Sequence, residues 1–215
     1  MNLLHHLRET RIVPVIDIAS VPDAVPVAQA LFAAGLPSAE ITFRTAAAAD
    51  AIKAIATEVP GLVVGAGTVR TVDQVDQAVD AGAKFLVAPG LNPAVISRAE
   101  LLGVPMLPGV CTPTEIEQAL GMGLSLLKFF PAEAAGGAAY LGALAGPYRD
   151  VLFVPTGGIG PDNIAAYLAK PNVVACGGSW MVNRDLIAAR DFAAITRLTA
   201  EALRIVDDAK QVSAR

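Results

Sequence analysis

The sequence predicts an α/β protein, a single (β/α)8 barrel (TIM barrel) preceded by a short N-terminal helix. The first observation behind this prediction is a repeat of glycines. Its five members, separated by 26, 21, 21 and 20 residues, are Gly35, Gly61, Gly82, Gly103 and Gly123. Each precedes an apolar run and stands where a helix would end, a position that favours a residue tolerant of positive φ.

The second observation is the alternation of apolar runs with helix-like segments. Eight runs have the continuous apolar sequence of strands buried on both faces. In chain order they are residues 11–18, 39–43, 62–66, 84–88, 104–107, 124–130, 151–155 and 173–176. The helix-like segments include residues 46–59, 72–81, 93–102 and 113–122. This alternation is typical of parallel βα units, and eight units match a small barrel. We therefore expect residues 1–215 to form one domain.

An open doubly wound sheet is the alternative architecture. The segment Gly65-Ala66-Gly67 begins like the dinucleotide-binding fingerprint G-x-G-x-x-G. Arg70 stands where the third glycine belongs, and this favours the barrel.

Composition and charge exclude several classes of function. Although 54% of the residues are hydrophobic, no apolar stretch reaches the roughly 18 residues of a membrane span. The N-terminus lacks the pattern of a signal peptide, so we expect a cytoplasmic protein without a membrane partner. A net charge of -4 argues against nucleic acid as a main partner. The two cysteines, Cys111 and Cys176, are too few for a disulfide framework or a four-thiolate zinc site.

Two polar residues lie within the second predicted strand, and a third follows it directly. Glu40, Thr42 and Arg44 point the same way, because side chains alternate between the two faces of a strand. We expect them inside the barrel, where they form either a structural ion pair or a functional site. Buried ion pairs add little net stability, so the functional interpretation is favoured.

Lys128 is the candidate nucleophile. Of five lysines, it alone lies within an apolar strand near the C-terminal end, where barrel enzymes place their chemistry. Burial disfavours the ammonium form, and the free amine is the form that makes a Schiff base with a carbonyl carbon. The alternative is a lysine whose head group reaches water past Phe129 and Phe130.

Two glycine pairs predict a phosphate site. Gly157-Gly158 follows the seventh strand and Gly177-Gly178 the eighth, and these two loops commonly bind phosphate in such barrels. Exposed glycine N–H groups and a helix N-terminus both favour an anion, although each pair could be a simple turn. Thr68, after the third strand, is either a ligand hydroxyl or the N-cap of the next helix.

The histidines constrain the chemistry. Both of them, His5 and His6, lie at the N-terminus, poorly placed to bind zinc as in metal-dependent aldolases or to transfer protons in the lumen. We therefore expect no metal and no cofactor. Lysine, glutamate, arginine and a phosphate cradle remain, and they favour carbonyl chemistry through an imine.

Five segments resemble those of the 2-keto-3-deoxy-6-phosphogluconate (KDPG) and 4-hydroxy-2-oxoglutarate (KHG) aldolases. They are residues 40–45, 65–69, 128–133, 155–159 and 177–180. The resemblance implies a class I pyruvate aldolase of the Entner–Doudoroff pathway, usually a homotrimer on a (β/α)8 barrel. Its substrate would be a phosphorylated keto acid, cleaved to pyruvate and glyceraldehyde 3-phosphate.

The same resemblance assigns roles to individual residues. Lys128 matches the imine-forming lysine, Glu40 the general acid/base, and Arg44 with Thr68 the groups that hold the pyruvate carboxylate. The remaining predicted contacts are Thr156, Gly157, Gly158, Gly178 and Ser179 for substrate and phosphate, and Pro89 and Phe130 as pocket lining. Asp17 is unassigned, either structural or a second polar contact, and Cys111 is expected to pack.

Three alternatives remain at this point. An aldolase for the galactonate epimer or for 4-hydroxy-2-oxoglutarate would use the same lysine. A phosphosugar isomerase or decarboxylase would use no covalent chemistry. A non-catalytic module would bind sugar phosphates without turnover.

Overall fold

The computed structural model describes residues 2–213, with side chains described as far as residue 209. Its strands are β1 (Ile12–Ile16), β2 (Ser38–Thr42), β3 (Val63–Gly67), β4 (Leu86–Val87), β5 (Met106–Leu107), β6 (Gly109–Val110), β7 (Leu126–Phe129), β8 (Leu152–Pro155) and β9 (Cys176–Gly178). Its helices are α1 (Leu3–Thr10), α2 (Ala24–Ala33), α3 (Ala48–Glu58), α4 (Val72–Asp80), α5 (Pro93–Leu101), α6 (Pro113–Gly121), α7 (Gly137–Leu144), α8 (Ile164–Leu168), α9 (Arg184–Ala188) and α10 (Phe192–Ser213). None of these helices, over the residues described, is long and apolar enough to cross a bilayer.

Four glycines of the repeat end helices as predicted. Gly35, Gly82, Gly103 and Gly123 follow α2, α4, α5 and α6 in the left-handed region, with φ between 67° and 96°. Gly61 has a different role, because a Cβ at this position would lie 2.9 Å from the Phe32 ring. The prediction of a left-handed helix end was therefore wrong for Gly61, where close packing explains the glycine.

The strands form two parallel sheets. One contains six strands in the order β5-β4-β3-β2-β1-β9, and the other contains β6-β7-β8. In the first sheet Glu40 pairs with Val15 and Gly65, and in the second Lys128 pairs with Gly109 and Val154. Because all pairings are parallel, the C-terminal ends of the strands in each sheet lie at the same edge. The predicted α/β class with parallel βα units is confirmed as a curled six-stranded parallel sheet with flanking helices.

The fifth predicted strand, residues 104–107, is shorter than predicted and covers only Met106–Leu107 (β5), at the edge of the first sheet. Pro108, which has no N–H to donate, separates β5 from β6 of the second sheet. Its carbonyl accepts a hydrogen bond from Lys128 N at 2.9 Å, so the chain continues in the second sheet. Single parallel bridges join Phe153 to Val173 and Thr156 to Gly177.

The last strand also differs from its prediction. It covers Cys176–Gly178 rather than residues 173–176. Gly177 and Gly178 were therefore wrongly assigned to the loop after the strand, since both belong to β9 and pair with β1.

The apolar residues of the strands separate into two clusters according to the face they occupy. Leu127 and Phe129 of β7 belong to the larger cluster, which also contains residues of most helices. Leu126 packs against the smaller cluster, to which Leu3 and Leu7 of α1 belong. Since side chains alternate along a strand, Lys128 faces the same side as Leu126, away from the outer helices.

Candidate active site

Lys128 and Glu40 meet although their strands, β7 and β2, belong to different sheets. Nζ of Lys128 lies 3.6 Å from Oε1 of Glu40, and each side chain is only 5% exposed. Oε1 of Glu40 is buried and accepts no hydrogen bond from the described residues. A buried polar atom without a partner is uncommon and is often associated with a catalytic role.

Gly65 and Gly67 make room for neighbouring side chains. A Cβ on Gly67 would lie 2.7 Å from Cγ of Glu40, and one on Gly65 would overlap the ring of Phe85. The small residues of β3 therefore accommodate the catalytic candidate Glu40 and a core phenylalanine.

A cavity of about 350 Å³ lies next to this pair. Phe130 connects the two, because it lines the cavity and its ring centroid is 5.3 Å from Nζ of Lys128, in cation–π geometry. The predicted site residues that line this cavity are Arg44, Phe130, Thr156, Gly157, Gly158, Gly178 and Ser179. Lys128, Glu40, Thr68 and Pro89 are not part of its lining.

The Gly157-Gly158 turn presents a backbone donor. The carbonyls of Thr156 and Gly157 accept hydrogen bonds from Ala132 N at 2.8 Å and Glu133 N at 3.0 Å. In a trans peptide the N–H points opposite to the carbonyl, so the N–H groups of Gly157 and Gly158 point away from that segment. The Gly158 N–H donates to no acceptor within the described residues, whereas the parallel bridge between Thr156 and Gly177 directs the Gly157 N–H toward β9. Both glycines have positive φ, 104° and 77°, a backbone that only glycine adopts readily and that exposes N–H groups of the turn to an anion.

Gly177 and Gly178 allow close packing around the same cavity. A Cβ on Gly177 would lie 3.0 Å from Cγ2 of Thr156, and one on Gly178 would lie 2.6 Å from Cε3 of Trp180. These contacts hold the Thr156 side chain and the indole against β9. Ser179 follows as an exposed residue on the cavity wall.

Thr68 is half-buried and has a left-handed backbone with φ of 57°. The N-cap of α4 is Thr71, whose side chain accepts from Gln74 N, so the capping interpretation of Thr68 was wrong. A β-branched residue at positive φ is strained, and such strain concentrates at functional sites.

Asp17 is the centre of a polar network that sequence reasoning left unassigned. Its Oδ1 accepts a hydrogen bond from Thr42 and lies 3.5 Å from Nη1 of Arg44. Its Oδ2 accepts hydrogen bonds from Nε and Nη2 of Arg184, with a distance of 3.0 Å for Nε. Burial raises the pKa of the Asp17 carboxyl, but these hydrogen bonds and the two positive charges outweigh burial and leave the pKa below its usual value.

Arg184 was not identified from the sequence. It lies 167 residues from Asp17, and no local pattern connects the two. The only available signal was a carboxylate at the C-terminal end of a strand without an assigned partner.

The contacts of His6 and Cys111 indicate structural roles. Nε2 of His6 is 3.1 Å from Oγ of Ser38. Ser38 begins β2, whereas Arg44 follows the other end of that strand. Burial, and secondarily His5, lowers the pKa of His6. Cys111 packs against the larger apolar cluster, as expected.

Among the residues described, no three His, Cys, Asp or Glu side chains are grouped to hold a metal ion.

Comparison with known proteins decides the family. The model described as "KDPG and KHG aldolase" matches residues 3–198. The chain belongs to the KDPG and KHG aldolase family. This confirms the family and the carbon–carbon lyase class that were predicted from the sequence.

Three relatives illustrate the match. The 2-dehydro-3-deoxy-phosphogluconate aldolase of Treponema pallidum is 50% identical over 206 residues, 96% of this chain and 98% of the relative. The KHG/KDPG aldolase of Escherichia coli is 46% identical over 192 residues, 89% and 90% of the two chains. The KDPG aldolase of Legionella pneumophila superposes with a TM-score of 0.91 at 38% identity, covering 94% of this chain and 98% of that one. That structure holds pyruvate as a covalent carbinolamine intermediate.

Proposed function

We propose that this protein cleaves KDPG to pyruvate and glyceraldehyde 3-phosphate through a Schiff base on Lys128. The observation that carries this proposal is the buried pair of Lys128 and Glu40, 3.6 Å apart beside a cavity with anion-binding groups. The Legionella pneumophila relative supports the covalent route, because a carbinolamine is the adduct that precedes an imine.

The reaction begins at the C2 keto carbon of the substrate. Nζ of Lys128 attacks this carbon, and the carbinolamine loses water to give a protonated imine. The imine nitrogen accepts the electron pair of the C3–C4 bond as Glu40 takes the C4 hydroxyl proton. Glyceraldehyde 3-phosphate leaves and an enamine remains. Protonation of C3 and hydrolysis of the imine then release pyruvate and the free lysine.

The substrate carboxylate is held by Arg44 and Thr68. A guanidinium can donate two parallel hydrogen bonds to a carboxylate, a geometry that lysine does not reproduce. Asp17 lies 3.5 Å from Arg44 and restricts the orientation of its side chain. Pro89 and Phe130 provide apolar walls.

The phosphate lies at the Gly157-Gly158 turn. Gly178 permits close approach, Ser179 adds a hydroxyl, and Thr156 positions the sugar chain. Contacts this far from the reacting bond contribute binding energy that aligns C2 with Lys128.

A product assay tests this function. The protein is incubated with KDPG, and pyruvate is measured with lactate dehydrogenase. Release of pyruvate that is lost in Lys128→Met supports the proposal. A phosphosugar isomerase, a decarboxylase or a binding module would release no pyruvate, and this result would contradict it.

The substrate range is a separate question. The Escherichia coli relative is named for both KHG and KDPG, so we propose that 4-hydroxy-2-oxoglutarate is a second substrate. Comparison of kcat/KM for KDPG, its galactonate epimer and 4-hydroxy-2-oxoglutarate ranks the three.

We also propose that the two sheets close into one (β/α)8 barrel domain; residues 1, 214 and 215 of the predicted range 1–215 lie outside the described residues. The Phe153–Val173 and Thr156–Gly177 bridges and the continuous chain through Pro108 support this closure. The family resemblance supports a homotrimer, which light scattering coupled to gel filtration tests. A phosphorylated substrate supports a cytoplasmic location, which cell fractionation tests.

A further inference from the structure

Asp17 lies between two arginines at the cavity. Arg44 and Arg184 are the arginines in the cavity lining, and Asp17 lines it as well. Arg44 faces Oδ1 of Asp17, whereas Arg184 donates to Oδ2. The three side chains together carry one net positive charge, since two guanidinium groups share a single carboxylate.

Arg184 has more N–H donors than its contact with Asp17 uses. Its Nε and Nη2 contact Asp17, and no acceptor for Nη1 exists among the described residues. A guanidinium has five N–H donors, so most of them remain available after two are directed to Asp17. The Arg184 side chain is 72% exposed, and an ion pair so exposed contributes little to stability.

The position of Arg184 relates it to the phosphate cradle. It follows Asn183, whose side chain accepts a hydrogen bond from Leu186 N at 3.0 Å and fixes the start of α9. Asn183 and Arg184 line the same cavity as Gly157 and Gly158. The glycine N–H groups are neutral donors, whereas a phosphate dianion is bound more strongly by a guanidinium.

We propose that Arg184 binds the phosphate of the substrate and sets the preference for phosphorylated keto acids, with Asp17 as its positioning residue. This inference rests on the proposed function, in which Arg44 is already assigned to the carboxylate end. Arg184 is then the cation that faces the other anionic end of the substrate. Asp17 holds its side chain over the cavity and reduces the entropy lost on binding.

Arg184→Gln and a matched control, Arg197→Gln, test the inference. Arg197 is also an exposed arginine beside a carboxylate, Glu201, but it lies outside the cavity. Arg184→Gln should lower kcat/KM for KDPG about tenfold or more, mainly through KM, because a charged hydrogen bond is lost. Arg197→Gln should match the wild type.

Exchange of the pyruvate methyl protons in D2O measures a partial reaction whose substrate carries no phosphate, and its rate is compared with that of KDPG cleavage. This exchange runs through the enamine and requires Lys128 and Glu40, so Arg184→Gln should lower it much less than KDPG cleavage. Equal losses in both assays, or unchanged KDPG cleavage, would overturn the inference.

Titration with inorganic phosphate separates this inference from the proposed function. The wild type should bind phosphate more tightly than Arg184→Gln. Equal binding, or no binding by either protein, refutes the role of Arg184. Binding that depends on Arg184 in a wild type that releases no pyruvate would instead refute only the cleavage of KDPG.

A double-mutant cycle tests the positioning role of Asp17. Asp17→Asn should raise KM for KDPG more in the wild type than in the Arg184→Gln background, because part of its effect passes through Arg184. Fully additive effects would contradict this role.

Discussion

Gly67 and Glu40 occupy neighbouring strands, and the missing side chain of the glycine is what leaves space for the carboxylate. A Cβ on Gly67 would lie 2.7 Å from Cγ of Glu40. Gly67→Ala should therefore move the carboxylate away from Lys128 and lower kcat for KDPG cleavage at least about tenfold.

Gly121→Ala is the control for this change. Gly121 ends α6, and a Cβ there would meet nothing within 4 Å. It should retain wild-type kcat. A Gly67→Ala variant with wild-type kcat would show that the position of Glu40 does not limit the reaction.

Glu40→Gln removes the proton acceptor while preserving the size of the side chain. General acid–base catalysis contributes about 10²–10⁴-fold, so kcat should fall within this range and KM should change far less. Steady-state kinetics with KDPG measures both, and circular dichroism checks the fold. A loss confined to KM would assign Glu40 to binding rather than proton transfer.

Gly158→Ala tests the phosphate turn. Gly158 has φ of 77°, and a Cβ there would lie 2.7 Å from Cβ of Glu133. The hydrogen bond that Glu133 accepts from Tyr167 restricts movement of the Glu133 side chain, so the turn itself must shift. We expect KM for KDPG to rise at least about tenfold and pyruvate exchange to fall less. Gly160→Ala, in the same loop with nothing within 4 Å, is the control, and identical kinetics in the two variants would contradict the role of the turn.

Asp17→Asn tests the lowered pKa of Asp17 through stability. A carboxyl whose pKa is lower in the folded than in the unfolded protein stabilises the fold at pH values above its unfolded pKa, about 3.9. That contribution is lost as the pH falls through the lower pKa of the folded protein. The unfolding free energy of the wild type should therefore fall more steeply with acid below about pH 4 than that of Asp17→Asn. Urea titrations across this range measure it, and parallel curves would contradict the network.

The main catalytic candidates were predictable because they break a local pattern. Lys128 and Glu40 are charged residues within apolar strands, and for Glu40 the alternation of side chains also predicted a position inside the fold. Their distance of 3.6 Å depends on the closure of the fold, which no short segment encodes. Thr71 with Gln74 has the spacing of a capping box, so the sequence did contain the signal that Thr68 is not the cap.

Other features depend on long-range contacts. The pair of Asp17 and Arg184 joins residues 167 positions apart, and the sequence around Arg184 resembles any polar helix start. The additional strand β6 depends on which sheet receives the chain after Pro108. Gly61 followed the glycine spacing but serves to accommodate Phe32, because the same residue type satisfies both backbone and packing requirements.

Trapping of the imine with borohydride shows whether Lys128 is the residue that bonds to the substrate. The protein is incubated with pyruvate and borohydride, digested, and mapped by mass spectrometry, with Lys128→Met and the Lys53 peptide as controls. We predict a reduced pyruvyl adduct on the peptide containing Lys128 and none on either control. Absence of this adduct, or its presence on another lysine, would contradict the role of Lys128 as the imine-forming residue.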